Sequence, residues 1–242
     1  MMYLNERIDD LQRGGLRVIQ RADAFRFGTD AVLLADFAAP RRHDRVCDLG
    51  TGTGIIPLLL YARENTISAD AVEIQPDMAD MAARSMAMNG LNEKIRVLSG
   101  DLRSIRTLLP HARYDLVTCN PPYGKAGGTL LNPDASKRLA RHEESCAIED
   151  VACAAAWLLQ NGGRLCCVFP AARMIELSDA MRKYRMAPKR IRMVHSRVEK
   201  AAHLCLMEGM LDARPGLIIE PPLVIYDENN AYTPELRRIY GL

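Results

Sequence analysis

Asp48-Leu49-Gly50-Thr51-Gly52-Thr53-Gly54 lies between an apolar run at 46–49 and a second apolar run at 55–62. The first run reads as a buried strand and the second as the helix that follows it. Glycines at a strand-to-helix turn permit a tight bend and let a ligand approach the backbone closely. A dinucleotide-binding turn would place its third glycine at position 55, where this chain has Ile55. The spacing here is G-x-G-x-G, with an acid, Asp48, just before it. A pyrophosphate favours cations and a helix N-terminus. An acid beside the turn instead suits a ligand carrying an ammonium and a sulfonium, which points to S-adenosylmethionine.

Outward from this turn, short apolar strands alternate with longer amphipathic helices. Strands are expected at 69–74, 95–98, 114–119, 164–169, 190–195 and 203–211. Helices are expected from Pro76 to the Asn89-Gly90 cap, at 148–160 and at 172–184. Such alternation with β-branched strands predicts a doubly wound α/β fold around a mostly parallel sheet with an antiparallel final strand. Before it, residues 6–27 read as a hairpin around Gly14-Gly15, and an apolar helix through Ala31, Leu34 and Ala38 stops at Pro40. The expected division is 1–44, a hairpin and helix covering the ligand site, and 45–242, the main domain. The stretch 124–145 lacks periodicity, as functional loops do.

Composition narrows the classes. The 242 residues carry a net charge of +2, so nucleic-acid contact must come from a local patch. No apolar run reaches the ~20 residues of a membrane span, and the acidic N-terminus does not resemble a signal peptide. The seven cysteines form no C-x-x-C pair and suit core packing in a reducing cytoplasm. No metal site is expected.

Two further acids sit at strand ends. Glu73 closes the second strand of the alternation, where a carboxylate can accept both hydroxyls of a ribose. Asp101 follows the third, placed to accept from an adenine amine, with Ile74 and Leu102 as apolar slabs for the ring. Gly50, Gly52 and Gly54 line the same edge.

Asn120-Pro121-Pro122-Tyr123 follows the fourth strand. A conjugated exocyclic amine or an amide nitrogen is a poor nucleophile because its lone pair is delocalised. The Asn120 side-chain oxygen and the Pro121 carbonyl can accept its two N–H bonds and stabilise the charge that develops on methylation. Two prolines hold these acceptors rigidly and leave no N–H at their own positions. Tyr123 offers a face for a planar base.

This combination resembles the amino-methyltransferases with a Rossmann-like fold, and most closely the bacterial tRNA1(Val) adenine-N6 methyltransferase family. Three stretches carry the likeness: Phe25 to Leu34 (FRFGTDAVLL); Asn120 to Tyr123 with Gly127-Gly128, Asn132-Pro133 and Ala140 to Glu143; and Glu220 to Leu223 with Tyr226 and Tyr232-Thr233. The resemblance implies that Phe27, Gly28, Thr29 and Asp30 cover the cofactor and that Asn120 serves both cofactor and catalysis. It implies an RNA substrate, tRNA near the anticodon. Glutamine-N5 methyltransferases of release factors share the Asn-Pro-Pro-Tyr motif but usually carry a helical N-terminal domain. Protein glutamine methylation therefore stands as an alternative, as does a catalytically silent RNA-binding module.

Cations crowd 182–200, where Arg190 and Arg192 alternate with Ile191 and Met193. This pattern fits a phosphate-tracking face or an edge strand protected by charge. Lys125, Arg141 and His142 in the long loop are further candidate RNA contacts.

Overall fold

The computed structural model describes residues 3, 5–22, 28–122 and 147–242. Tyr123, Lys125, Arg141, His142 and Phe27 lie outside the described residues. The glycine turn joins β3 (Arg45–Leu49) to α2 (Ile55–Arg63). Next come β4 (Ser68–Glu73), α3 (Pro76–Met88), β5 (Ile95–Ser99), a short α4 (Ile105–Leu108) and β6 (Tyr114–Cys119). After the undescribed stretch follow α5 (Ile148–Leu158), β7 (Leu159–Pro170), α6 (Met174–Lys183), β8 (Met186–His195) and β9 (Ala202–Leu211). Two-residue strands β10 (Ile218–Ile219) and β11 (Leu223–Val224) and a terminal helix α7 (Pro234–Tyr240) complete the chain. Ahead of the glycine turn lie the hairpin β1 (Glu6–Asp10) and β2 (Arg17–Arg21), then α1 (Thr29–Ala38).

The large sheet runs β10-β8-β9-β7-β6-β3-β4-β5, with β11 also on β8. Strands β3 to β7 pair in parallel, while β9 runs antiparallel to both neighbours. The expected doubly wound sheet with a reversed late strand is therefore the observed one. None of the described helices is long and apolar enough to cross a membrane.

Successive strand residues feed two separate cores, as a period of two requires. Val46, Leu116, Cys166 and Leu206 pack with α1, α2 and α7 on one face. Cys47, Val117, Cys167 and Met207 pack with α5 and α6 on the other. Each fully buried leucine or isoleucine in these layers is worth about 1.5–3 kcal/mol. Cys47, Cys166 and Cys167 are thus filling space. Helix α1 belongs to the first core through Leu33 and Leu34, both wholly buried, so it is built into the sheet's own packing.

The hairpin is tied down twice. Arg84 on α3 binds both Glu6 carboxylate oxygens, and Ser85 Oγ accepts from the Ile19 amide. At the turn, Arg13 Nη2 donates to the Arg238 carbonyl at 2.9 Å and to that of Ile239. The opening of the chain is therefore latched to its last helix.

Three boundaries differ from expectation. Helix α5 stops at Leu158, and β7 begins at once, because Gly162 (φ 76°) and Gly163 form a bulge inside the strand. Leu159 pairs with Tyr114 and Arg164 with Leu116, leaving the intervening residues looped out. Strand β8 starts at Met186 and absorbs Pro188 at a second register break. Residues beyond 211 add two strand fragments and a helix too short to announce themselves by periodicity.

Candidate active site

Register assembles the site. Leu49 on β3 pairs with Cys119 on β6, so the glycine turn and Asn120 leave adjacent strands side by side. Val72 pairs with Leu49, and Glu73 with Ser99, which brings the ends of β4 and β5 to the same edge. The amides of Gly50 and Thr51 both donate to the Val72 carbonyl. All three glycines of the turn have positive φ, at 71°, 57° and 82°. A side chain at any of them would be strained.

Glu73 is buried and holds this loop. One carboxylate oxygen accepts the Gly52 amide at 2.8 Å, the other the Gln75 amide at 2.9 Å. An ionised carboxylate has about four acceptor positions, so ribose hydroxyls can still be met. The loop-holding role was not anticipated from the sequence.

Asp48 is wholly buried. Its Oδ1 accepts from the Thr118 hydroxyl at 2.6 Å. Among the described residues, its Oδ2 and Thr51 Oγ1 are buried polar atoms with no hydrogen-bond partner. Burial pushes the Asp48 carboxyl up to about 7, with Thr118 and the nearby Thr51 hydroxyl pulling against it and Glu73 adding repulsion. Two buried acceptors beside an open glycine turn, and no cation, fit a ligand with an ammonium group. S-adenosylmethionine has one.

Asp101 caps the helical turn after β5, and Arg103 grips both of its oxygens at 2.5–3.1 Å. That guanidinium holds the Asp101 carboxyl below its usual range, against partial burial. An adenine amine would share the carboxylate with Arg103. Ile74 is 41% exposed and Leu102 is half-buried, so both present apolar surface at this edge.

The Asn120-Pro121 turn gains a partner that sequence reasoning did not foresee. Asn120 Nδ2 donates to Asp30 Oδ2 at 3.2 Å. A carboxylate only accepts, so the amide nitrogen must face Asp30 and the amide oxygen must face elsewhere. Asp30 Oδ1 in turn accepts the Ala31 amide at the start of α1. The carboxylate folds back over Gly28, where an added Cβ would lie 2.0 Å from Oδ1. Gly28 is therefore the residue that lets Asp30 reach this position. Thr29 is joined to the C-terminal helix through a 3.1 Å bond from the Tyr240 hydroxyl. Pro121 is buried and Pro122 exposed.

The cationic stretch does not present the face that was expected. Arg190 lies over the Phe37 ring, donates to its carbonyl, and is ion-paired with Glu208 and Glu220. Its Nε sits 3.4 Å from Glu208 without hydrogen-bonding alignment. Arg192 grips the Glu235 carboxylate at 2.8 Å and the Pro221 carbonyl at 3.0 Å. Both guanidiniums are spent inside the fold, tying β8 to α1 and to the C-terminal segment. Nor is β8 an edge, since β10 and β11 flank it.

Comparison with known proteins follows the same lines. The methyltransferase small domain model matches residues 22–190. A tRNA1(Val) (adenine(37)-N6)-methyltransferase of Porphyromonas gingivalis is 32% identical over 91% of this chain and 89% of its own. The protein of that name from Tolumonas auensis is 34% identical over 88% of this chain and 86% of its own. Among solved structures, a predicted O-methyltransferase from Agrobacterium tumefaciens superimposes with a TM-score of 0.73 at 24% identity. That match covers 88% of this chain and 96% of the other, and speaks to the fold alone.

Proposed function

Because the chain belongs to the methyltransferase small domain family, and within it to the tRNA1(Val) (adenine(37)-N6)-methyltransferase group, we propose that it methylates N6 of an adenine in tRNA near the anticodon. The observation that carries this reading is the adjacency of the Asn120-Pro121 turn to the glycine turn through the Leu49–Cys119 register. S-adenosylmethionine, when bound, supplies an electrophilic methyl on a sulfonium. The Asn120 oxygen and Pro121 carbonyl accept the two N–H bonds of the target amine and draw its nitrogen towards tetrahedral geometry. Asp30 fixes which end of the Asn120 amide faces the amine. Proline at 121 and 122 leaves no N–H to compete for those acceptors, and Tyr123 supplies a stacking face for the base. No general base is needed before attack, because the methylated ammonium is acidic and loses its proton afterwards.

Glu73 accepts from the ribose, Asp48 faces the ammonium, and Asp101 meets the adenine amine with Ile74 and Leu102 beside its ring. Residues 1–44 cover the cofactor, and Lys125, Arg141 and His142 reach the RNA. We infer a cytoplasmic location, supported by the free thiols of Cys47, Cys153, Cys166, Cys167 and Cys205.

The test is transfer of labelled methyl groups to total tRNA, total rRNA and a release factor, followed by nucleoside and residue analysis. N6-methyladenosine in tRNA is the expected product. Methylglutamine in the release factor with unlabelled tRNA would replace this reading.

A further inference from the structure

Strand β11 leaves the sheet at the same edge as the catalytic turn. It pairs in parallel with β8, and β8, reversed twice through β9 and β7, runs parallel to β3 and β6. Tyr226 lies two residues past its end, its amide bonded to the Ser196 carbonyl beyond the end of β8. Its ring stacks on Tyr232 with centroids 5.5 Å apart and 29° between planes. Tyr232 stacks on Tyr240 at 5.6 Å and 16°. Tyr240 reaches Thr29, the neighbour of the Asp30 that holds Asn120. Three rings thus run from the catalytic turn's own support out to the surface, where Tyr226 is 37% exposed.

Charges of both signs surround the outer ring, with Asp227 and exposed Glu228 directly after Tyr226 and exposed Glu199 between Arg197 and Lys200. Arg197 donates to the Asp227 carbonyl and to Asn230, so it lies against the Tyr226 turn. Lys200 is exposed on the same short β8–β9 loop. An exposed aromatic face is what an unpaired base needs for stacking, and Arg197 and Lys200 are the groups beside it that can meet its phosphate. A duplex would offer no free base face, and Asp227, Glu228 and Glu199 disfavour an acidic peptide.

We infer that Tyr226, backed by Tyr232 and Tyr240 and flanked by Arg197 and Lys200, is a stacking platform for an unpaired nucleotide of the substrate RNA. This rests on the tRNA reading above. The platform holds a base near the target adenine, so the loop is docked before the adenine enters the site. It reads no sequence, because every base has a stackable face.

The experiment compares Tyr226→Ala, Tyr226→Phe, Tyr226→Trp and Lys200→Glu with wild type. Tyr226→Ala should raise the Kd and KM for unmodified tRNA on the order of ten-fold. Cofactor affinity, thermal midpoint and kcat at saturating tRNA should be unchanged. Tyr226→Phe should stay within about two-fold of wild type, because the ring carries the interaction. Lys200→Glu should weaken tRNA binding and shallow its salt slope by about one ion. Emission of Tyr226→Trp should be quenched by tRNA beyond the change seen for wild type, whose sole tryptophan is Trp157. Unchanged tRNA affinity in Tyr226→Ala overturns the platform. If that variant instead loses thermal stability or cofactor binding, Tyr226→Trp decides, and absence of added quenching overturns it. Wild type that methylates no RNA sinks the function reading instead, which the methyl-transfer assay reports separately.

Discussion

In the proposed reaction, the chemistry at Asn120 depends on which end of one amide faces the substrate. Asp30 settles this by accepting from the amide nitrogen. Asn120→Ala should lower single-turnover methylation on the order of 100-fold, as loss of a preorganised transition-state acceptor does. Asp30→Ala should lower it by about ten-fold, because a loosened amide samples the wrong orientation. If Asp30 acts on Asn120, the loss falls on kcat; if it contacts the cofactor, cofactor Kd rises instead. Calorimetry beside single-turnover kinetics separates the two, and full activity in Asn120→Ala would sink the mechanism. The proposed pair of acceptors rests on residue types alone, an Asn-Pro-Pro-Tyr turn after a G-x-G-x-G turn. Asp30's grip on Asn120 spans 90 positions, and no local pattern encodes so long a contact.

Strand β8 shows where element-level reading succeeds and where it stops. Alternation of arginine with Ile191 and Met193 correctly announced a strand with one apolar face. It could not say that the other face is covered, because the cover comes from Phe37 on α1 and Glu235 on α7, far away in the sequence. Glu208, Glu220 and Glu235 supply the countercharge from three separate places. Reversing Arg190 and Arg192 to Glu would set like charges against these acids. Denaturant unfolding should show a loss of about 3–5 kcal/mol, the range for breaking buried ion pairs. A double variant with wild-type stability and weakened tRNA binding would return this stretch to the RNA surface. The other large elements were readable because each is a strand or helix long enough to show its period. The bulge at Gly162-Gly163 is not legible in the sequence, since a glycine pair between a helix and a strand looks the same as a helix stop.

For the molecule as a whole, Asp48 links protonation to stability and ligand binding. Its carboxyl titrates near pH 7 when folded, against 3.8 for the unperturbed group. Between those values the native protein holds the extra proton, so stability falls as pH rises through the window. The contribution is full below pH ~4 and lost above pH ~7, worth about 4 kcal/mol. Asp48→Asn should therefore flatten the difference in unfolding midpoint between pH 5 and pH 8. An ammonium placed beside Asp48 favours the ionised form, so S-adenosylmethionine binding near pH 6.5 should release a proton. Calorimetry in two buffers of different ionisation enthalpy reads this directly, and no proton release would separate Asp48 from the ammonium. The sequence marked Asp48 as an acid beside a turn; only the three-dimensional burial turns it into a titrating group.

The clasp between Arg13 and the carbonyls of Arg238 and Ile239 has a consequence in time rather than in space. Its partners are 225 and 226 positions apart. At synthesis rates of about 5–20 residues per second, the hairpin turn waits roughly ten to forty seconds on the ribosome for its partner to be made. Until then Arg13 has no helix to grip, and the hairpin hangs on α3 through Arg84, Ser85 and Asn89. The ring of tyrosines and the support under Thr29 are completed by the same late helix. A nascent chain can thus assemble its central sheet early, yet the Tyr240–Thr29 bond beside the Asn120 turn forms only once residues 234–240 have emerged.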